Sequence, residues 1–435
     1  MHKRIITLLL IALICISVSG CRQINFRQII NDVFYDETVE KSFETESKTD
    51  YTAAVKNGIV LSPYYESIDI TNCYDTLDTD SERKCYNEIA KHVTNITSKT
   101  VDKYYAIEEF KILNCYLTER ELARVIDAYI EDHSDVFWLT GSYLYYVGSD
   151  YVSLQLRSIL TKEQYKTYSK RFNKAVSKIL SGLKPNMSEF ERELYIHDYL
   201  VNNCEYDENV DVENDEFQYN AYGAVVDKLA VCEGYAEAFH FLLSCVGINS
   251  INVSGYSDNE GHEWNIVNID DEWYHTDVTW DDDGKEYMYD YFNLTTKQIK
   301  KSHIINPLYE DCTDAEVLGD ENNSPENYNF YVPNCTATYY NYYIQKGSVL
   351  EDINRNTMAE DLTETANNKE KYFHIYVDPN YLNFKTTYNQ LFGDVYSFQH
   401  YIEKANRTSK NTLSTSTYSL KKKEISVITV ELEYL

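Results

Sequence analysis

The chain has few residues that interrupt regular structure and little positive charge. Only 14 glycines and 6 prolines occur in 435 residues, whereas 43% of the residues are hydrophobic. This composition is typical of a folded protein and excludes a linker-rich or disordered chain. Lysine and arginine number 40 against 70 aspartates and glutamates, so the formal net charge is −30. Such a balance argues against nucleic acid as a partner and against electrostatic docking on anionic lipids.

The N-terminus carries a short apolar run. Residues 5–18 are mostly apolar, follow the basic start His2-Lys3-Arg4 and lead into Val18-Ser19-Gly20-Cys21. A run of this length is typical of an export signal and too short for a membrane span. Its ending resembles the bacterial lipobox, although Val18 stands where that pattern more often has leucine. We therefore expect a lipoprotein signal peptide over 1–20 and a lipid anchor on Cys21 at the extracytoplasmic face of the cell membrane. An ordinary signal peptide or an uncleaved anchor is the alternative.

The cysteine spacing shows no metal motif. Eight cysteines follow Cys21, and no CxxC pair or Cys/His cluster has zinc-ligand spacing, so we predict no metal and no cofactor. The acidic stretch 207–216 also lacks the order of ligands and glycine found in an EF-hand. Export makes disulfides possible. Cys73 with Cys85 and Cys312 with Cys335 are candidate local bridges, but spacing leaves the pairing open.

Composition and periodicity divide the chain into five segments. A polar tether and N-terminal segment (21–85) follows the signal peptide (1–20), and a mainly helical accessory region (86–184) comes next. A central domain (185–305) precedes a linker and small α/β accessory domain (306–435). In this last segment, helical patterns at 356–367 and 397–405 alternate with strand patterns at 342–345, 372–377 and 425–430. The order suggests a split β-α-β or ferredoxin-like layer.

A helix in the central domain is predicted to begin beside Cys232. Tyr235, Phe239 and Leu242 lie on one face of the pattern over 233–246, and Gly247 is a suitable C-terminal stop. Cys232 therefore stands in the first turn, where the backbone N–H groups and the helix dipole favour a thiolate over a thiol.

Three strand patterns follow this helix, at 251–256, 263–269 and 272–279. Asp270-Asp271 reads as a two-residue hairpin turn between the last two.

The hairpin register brings an acid to the imidazole of His262. If Ile269 pairs with Glu272, His262 lies opposite Thr279, and Asp277 is its diagonal neighbour on the same face. A cysteine, a histidine and an acid in this order are the parts of an activated nucleophile. We predict that Cys232, His262 and Asp277 are catalytic. Candidates to support them or to line the substrate cleft are Trp264, Asn265, His275 and Trp280.

The motifs around these residues resemble the transglutaminase-like superfamily of bacterial extracytoplasmic proteins. The matching segments are Cys232-Glu233-Gly234-Tyr235-Ala236, His262-Glu263-Trp264-Asn265 and residues 273–281. The resemblance covers roughly 185–300 and implies an α+β fold with a papain-like core. In such a core, a helix bearing the cysteine packs on an antiparallel sheet bearing the histidine and the aspartate. The calcium-binding loops of the animal enzymes have no recognisable counterpart, so calcium dependence is not expected.

The resemblance implies acyl transfer through a cysteine thioester. The expected partner is a peptide or protein substrate with a peptide or carboxamide group, such as a cell-wall peptide. Water as the acceptor gives a peptidase or amidase, whereas an amine gives a transamidase. The sequence does not choose, and we favour hydrolysis because bacterial relatives often resemble proteases. The alternative is a non-catalytic scaffold that binds peptide or cell wall in the same cleft.

Overall fold

The computed structural model describes residues 5–6, 55–211, 216–282, 289–319, 327–352, 357–393, 397–423 and 426–435. The predicted lipidation site, Cys21, and nearly all of the predicted signal peptide lie outside the described residues. Among the residues described, no helix is both long enough and apolar enough to cross a membrane.

The N-terminal region combines helices with an antiparallel sheet. The helices begin where expected from their caps; for example, Thr118 and Glu121 form the capping box of α3. The sequence predicts a mainly helical region over 86–184, whereas the structure has five strands over 96–158 beside the helices. Two of these strands are only four residues long, too short for an alternating pattern to stand out. The elements are β1 Ile5–Ile6, β2 Val55–Lys56, β3 Ile59–Val60, α1 Asn72–Asp75, α2 Asp80–His92, β4 Ile96–Val101, β5 Tyr104–Ile107, β6 Phe110–Leu113, α3 Glu119–Asp132, β7 Leu139–Val147, β8 Tyr151–Ser158 and α4 Lys162–Leu180.

The central domain carries a helix on a four-stranded antiparallel sheet of order β13-β12-β11-β14. Helix α6 begins at Cys232 and packs on β11 and β12. Its buried residues, such as Tyr235, Phe239 and Leu242, belong to the main hydrophobic core. The elements are α5 Glu189–Asn203, β9 Glu205–Tyr206, β10 Leu229–Ala230, α6 Cys232–Ser244, β11 Ser250–Ser257, β12 Glu260–Ile269, β13 Glu272–Thr276, α7 Val278–Asp281, α8 Thr296–Ile299, β14 His303–Ile305, α9 Asp314–Leu318 and α10 Tyr342–Lys346.

The hairpin between β12 and β13 has the predicted register. Ile269 pairs with Glu272, and both residues of the turn, Asp270 and Asp271, have positive φ angles of 48° and 66°, as a type I′ turn requires. The predicted continuation of β13 to Thr279 is wrong, because β13 ends at Thr276. Asp277 instead caps the short helix α7, with its Oδ1 accepting a hydrogen bond from the Trp280 N–H at 3.1 Å.

The C-terminal module has its own hydrophobic core and a sheet of order β15-β16-β18-β17. Strands β15 and β16 are parallel neighbours joined through α11, so the unit is an unsplit β-α-β followed by an antiparallel hairpin. The predicted split arrangement is wrong. The predicted strand at 342–345 is also wrong, because Asn341 caps a helical turn there. The elements are β15 Ser348–Leu350, α11 Thr357–Asn368, β16 Tyr372–Val377, α12 Phe384–Phe392, α13 Ser397–Ala405, β17 Leu413–Lys423 and β18 Val427–Tyr434.

Candidate active site

Cys232 is the first residue of α6 and is partly exposed. The preceding residue, Val231, supplies no side-chain cap, so no side chain competes for the N–H groups at the helix start. The helix packs closely against the preceding segment at Gly234. A Cβ there would lie 2.4 Å from the Gln218 carbonyl oxygen, which explains the glycine beside the thiol.

His262 joins the thiol to the acid. Its Nε2–H donates to Asp277 Oδ2 at 2.7 Å, and it also interacts with the Cys232 thiol. Since Nε2 is occupied, Nδ1 is the nitrogen left for the sulfur. Burial lowers the pKa of His262, but the charge of Asp277 and the hydrogen bonds to Asp277 and Cys232 outweigh it and raise this pKa to about 10. The imidazole is therefore protonated at neutral pH.

Asp277 is fully buried and accepts three hydrogen bonds. The donors are His262 Nε2, the Trp280 N–H and His303 Nε2, which lies 2.9 Å from Oδ2. Burial alone would raise the pKa of this carboxyl. The charges and hydrogen bonds of the two histidines reverse that effect and hold the pKa well below its usual range. Asp277 is thus a permanently charged acceptor.

The interaction of His303 with Asp277 was not predicted from the sequence. His303 opens β14, which pairs with β11 so that His303 lies opposite Ser257. The only signal in the sequence is a histidine ahead of two isoleucines. The pairing of β14 with the far side of β11 depends on tertiary structure that the pattern does not reveal.

A buried, hydrogen-bonded pair of side chains, Asp281 and His197, also supports the turn that carries Asp277. Asp281, at the end of α7, accepts from the Tyr291 N–H at 2.9 Å and contacts His197 Nε2 at 3.1 Å. Burial lowers the pKa of His197, but hydrogen bonds to Asp198 and Asp281 raise it to about 9. Burial raises the pKa of Asp281 to about 7. The hydrogen bond between the two side chains ties α5 to the turn carrying Asp277.

Trp264 and His275 form a buried pair behind His262. Trp264 stacks on the His262 ring at 5.9 Å, and its Nε1–H donates to His275 Nδ1 at 3.0 Å. His275 Nε2 is bonded to Thr296 Oγ1 at 3.1 Å, and burial lowers the pKa of His275 to about 3. His275 therefore stays neutral and reaches His262 only through the indole of Trp264.

Asn265 and Trp280 have different surroundings. Asn265 is buried and donates to the Ala236 carbonyl oxygen at 3.1 Å, so it fastens the sheet to α6 and does not line the cleft. Trp280 is half-buried, with its ring 6.3 Å from that of His262. Tyr206 lies near the thiol as well, since the charge of Cys232 contributes to a raised Tyr206 pKa after burial. Trp280 and Tyr206 are candidates for the walls of the cleft.

A cluster of carboxyls also lies near the thiol. Glu131, Glu237 and Glu263 bring their oxygens within 4.8 Å of one another, and Glu233 interacts with them. Burial and mutual repulsion raise the pKa of Glu131 to about 8 and those of Glu237 and Glu263 well above the usual value. The raised pKa values favour the neutral form of these carboxyls.

Within the described part of the chain, two groups of side chains place their possible ligand atoms close enough together to hold a metal ion. One is the glutamate cluster, and the other is His262, Asp277 and His303. In the second group the donor atoms are already joined by hydrogen bonds. The absence of a metal remains a prediction.

Comparison with known proteins finds a family model that matches the part of the chain carrying this site. Residues 175–278, which include all three predicted catalytic residues, match the model of the transglutaminase-like superfamily. The chain therefore carries a transglutaminase-like core domain within a fold of helices and antiparallel sheets. No curated protein matches the chain.

Three solved structures show weak likeness to the chain. A TGase is 14% identical, with 39% of this chain and 50% of that one covered and a TM-score of 0.24. A proposed protease from Parabacteroides distasonis ATCC 8503 is 10% identical. The match covers 32% of this chain and 35% of that one, with a TM-score of 0.21. A proposed cysteine protease from Cytophaga hutchinsonii is 14% identical. The match covers 42% of this chain and 69% of that one, with a TM-score of 0.21. The chain spans half of the first of these, and scores this low support no argument about activity.

Proposed function

We propose that this protein is a lipid-anchored, extracytoplasmic cysteine enzyme that transfers acyl groups through a thioester on Cys232. The observation that carries the proposal is the position of His262, between the Cys232 thiol and the charged Asp277 carboxylate. An imidazole with this partner stays protonated and stabilises a neighbouring thiolate.

The first chemical step forms a bond between Cys232 Sγ and the carbonyl carbon of a carboxamide or peptide. The electron pair moves to the carbonyl oxygen, and N–H groups at the start of α6 stabilise that oxyanion. As the C–N bond breaks, His262 gives its proton to the departing amine. The neutral imidazole then takes a proton from water or from a second amine, which attacks the thioester and releases Cys232.

The expected substrate is a peptide or protein outside the cytoplasm, including cell-wall peptide. The basic and apolar N-terminus with its cysteine supports export and anchoring. The aromatic rings of Trp280, near His262, and of Tyr206, near the thiol, can pack against an extended peptide. Hydrolysis is the favoured outcome. A glutamine-containing protein offered together with a fluorescent amine, alongside peptide hydrolysis assays, distinguishes transamidation from hydrolysis.

Two variants make this experiment decisive. Cys232→Ala is expected to abolish both reactions, whereas Cys245→Ala removes a buried thiol from the far end of the same helix and is expected to retain activity. Equal activity of wild type and Cys232→Ala would contradict the proposal. If wild type retains the peptide but releases no product, the scaffold function is correct instead.

A further inference from the structure

We propose that His303 is a positioning residue that holds the Asp277 carboxylate in line with His262. This inference rests on the proposed function of Cys232. The sequence motifs assign no role to His303. The match to the family model ends at residue 278 and does not include it.

The carboxylate of Asp277 is shared between two imidazoles. Oδ2 accepts from His262 Nε2 at 2.7 Å and from His303 Nε2 at 2.9 Å, and Oδ1 accepts from the Trp280 N–H at 3.1 Å. The side chains of Asp277 and His303 have no exposed surface, so bulk water does not reach the hydrogen bond between them. With donors on both oxygens, the carboxylate cannot rotate without breaking a charge-assisted hydrogen bond.

His303 is itself held as a proton donor. The carboxylate oxygen of Asp277 can only accept, so the Nε2 that lies 2.9 Å from it carries a proton. Ser302 Oγ lies 2.8 Å from Nδ1 and contacts the other nitrogen of the ring. The rings of Trp264, Trp280 and Tyr291 surround the imidazole at 4.9, 5.1 and 5.5 Å. The ring is therefore confined to the orientation that the carboxylate needs.

The titratable groups that face His303 come from three neighbouring segments. They are His262 on β12, His275 on β13, Asp277 after β13, and Tyr291. Asp277 carries the negative charge among them. Without His303, the buried carboxylate of Asp277 would lack one hydrogen-bond donor. We expect it to rotate or to become protonated as a result. In either case it would no longer keep His262 protonated. His303 thus acts on the thiol through two other residues.

The pH profile of Cys232 alkylation by iodoacetamide, from pH 5 to 10, separates this role from simple packing. A thiolate–imidazolium pair gives a rate plateau that extends below the pKa of a free thiol. His303→Leu is expected to lower the rate at pH 7 by about 10- to 100-fold and to restore the profile of an ordinary thiol. His303→Gln keeps an N–H in the position of Nε2 and is expected to retain the plateau within about threefold.

A matched control separates the pH profile from stability. His240 is a buried histidine on α6 that contacts Ser250 and not Asp277, so His240→Leu is expected to lower the Tm without changing the profile. If His303→Leu fails to fold, His303→Asn replaces it, because its shorter amide does not reach Asp277.

The proposal is wrong if the leucine or asparagine variant keeps the wild-type plateau, or if the glutamine variant loses it to the same extent. A wild-type protein without a plateau would contradict the proposed function itself.

Discussion

Replacing Asp277 with asparagine tests how much of the activation of His262 is electrostatic. The side chain keeps its size, but the charge disappears, and its amide has one acceptor oxygen where the carboxylate has two. One of the three donors that now meet Asp277 must lose its partner. We expect His262 to become neutral at pH 7 and Cys232 to revert to a thiol.

The magnitude follows from the pKa of His262. This pKa is about 10 instead of 6.5, and each pH unit corresponds to about 1.4 kcal/mol, which gives on the order of 5 kcal/mol for the stabilisation of the imidazolium. Part of this belongs to the Cys232 thiolate, so the charge of Asp277 accounts for a smaller share. We therefore expect Asp277→Asn to slow alkylation of Cys232 at pH 7 by about 10²- to 10³-fold.

Stopped-flow or quenched labelling with iodoacetamide, read by peptide mass spectrometry, measures this rate site by site. Asp270→Asn changes an exposed turn carboxylate and is the charge-matched control. The reasoning is refuted if a folded Asp277→Asn variant labels at the wild-type rate, because His262 would then owe its protonation to something other than Asp277.

Three further predictions concern the surroundings of the site. Glu237→Gln should leave the free energy of unfolding unchanged near pH 4 and stabilise above pH 5. Burial raises the Glu237 pKa well above its usual value, so the folded wild type keeps a proton that the unfolded chain loses. Above pH 5 this difference lowers the free energy of unfolding of the wild type by about 1.4 kcal/mol per pH unit. Urea titrations at several pH values measure it, and the same pH dependence of stability in both proteins would contradict the prediction. Gly255→Ala should lower the free energy of unfolding by about 1–3 kcal/mol, because the new Cβ would lie 2.1 Å from the Ile304 carbonyl oxygen. A Cβ at Gly261 would meet no atom within 4 Å, so Gly261→Ala should leave the same free energy unchanged. A reducing agent should leave the Tm unchanged, because no disulfide joins the cysteines among the described residues. A drop of several degrees would reveal a disulfide.

Local patterns predicted the elements that carry the chemistry. Helix α6 begins at Cys232, one residue before the predicted pattern over 233–246, and ends before the predicted stop at Gly247. The Asp270-Asp271 turn sets the register of the hairpin. These features depend on residues close together in sequence, so helix and hairpin rules suffice.

The contact between His262 and Asp277 was predicted, but with the wrong local geometry. The prediction that both side chains lie on one face required an unbroken strand to Thr279. In the structure, Asp277 leaves the strand to cap α7. The preference of aspartate for helix N-caps outweighed the continuation of the alternating pattern. The carboxylate reaches the imidazole from the end of the strand.

His303 and the glutamate cluster were beyond prediction from sequence. His303 meets Asp277 across 26 residues of sequence, through a strand that pairs on the far side of β11. Glu131 comes from the accessory region and meets Glu237 and Glu263 of the central domain. Such contacts depend on how segments pack, which periodicity within one segment does not encode.

The most direct test of the account is the rate at which iodoacetamide labels Cys232 at pH 6. The reference is the same thiol in the protein unfolded in urea at that pH, where an ordinary thiol is almost wholly protonated. The account predicts that folded Cys232 is labelled at least about tenfold faster than the unfolded reference, because its proton already resides on His262. A folded rate equal to or below the unfolded one would contradict an activated Cys232.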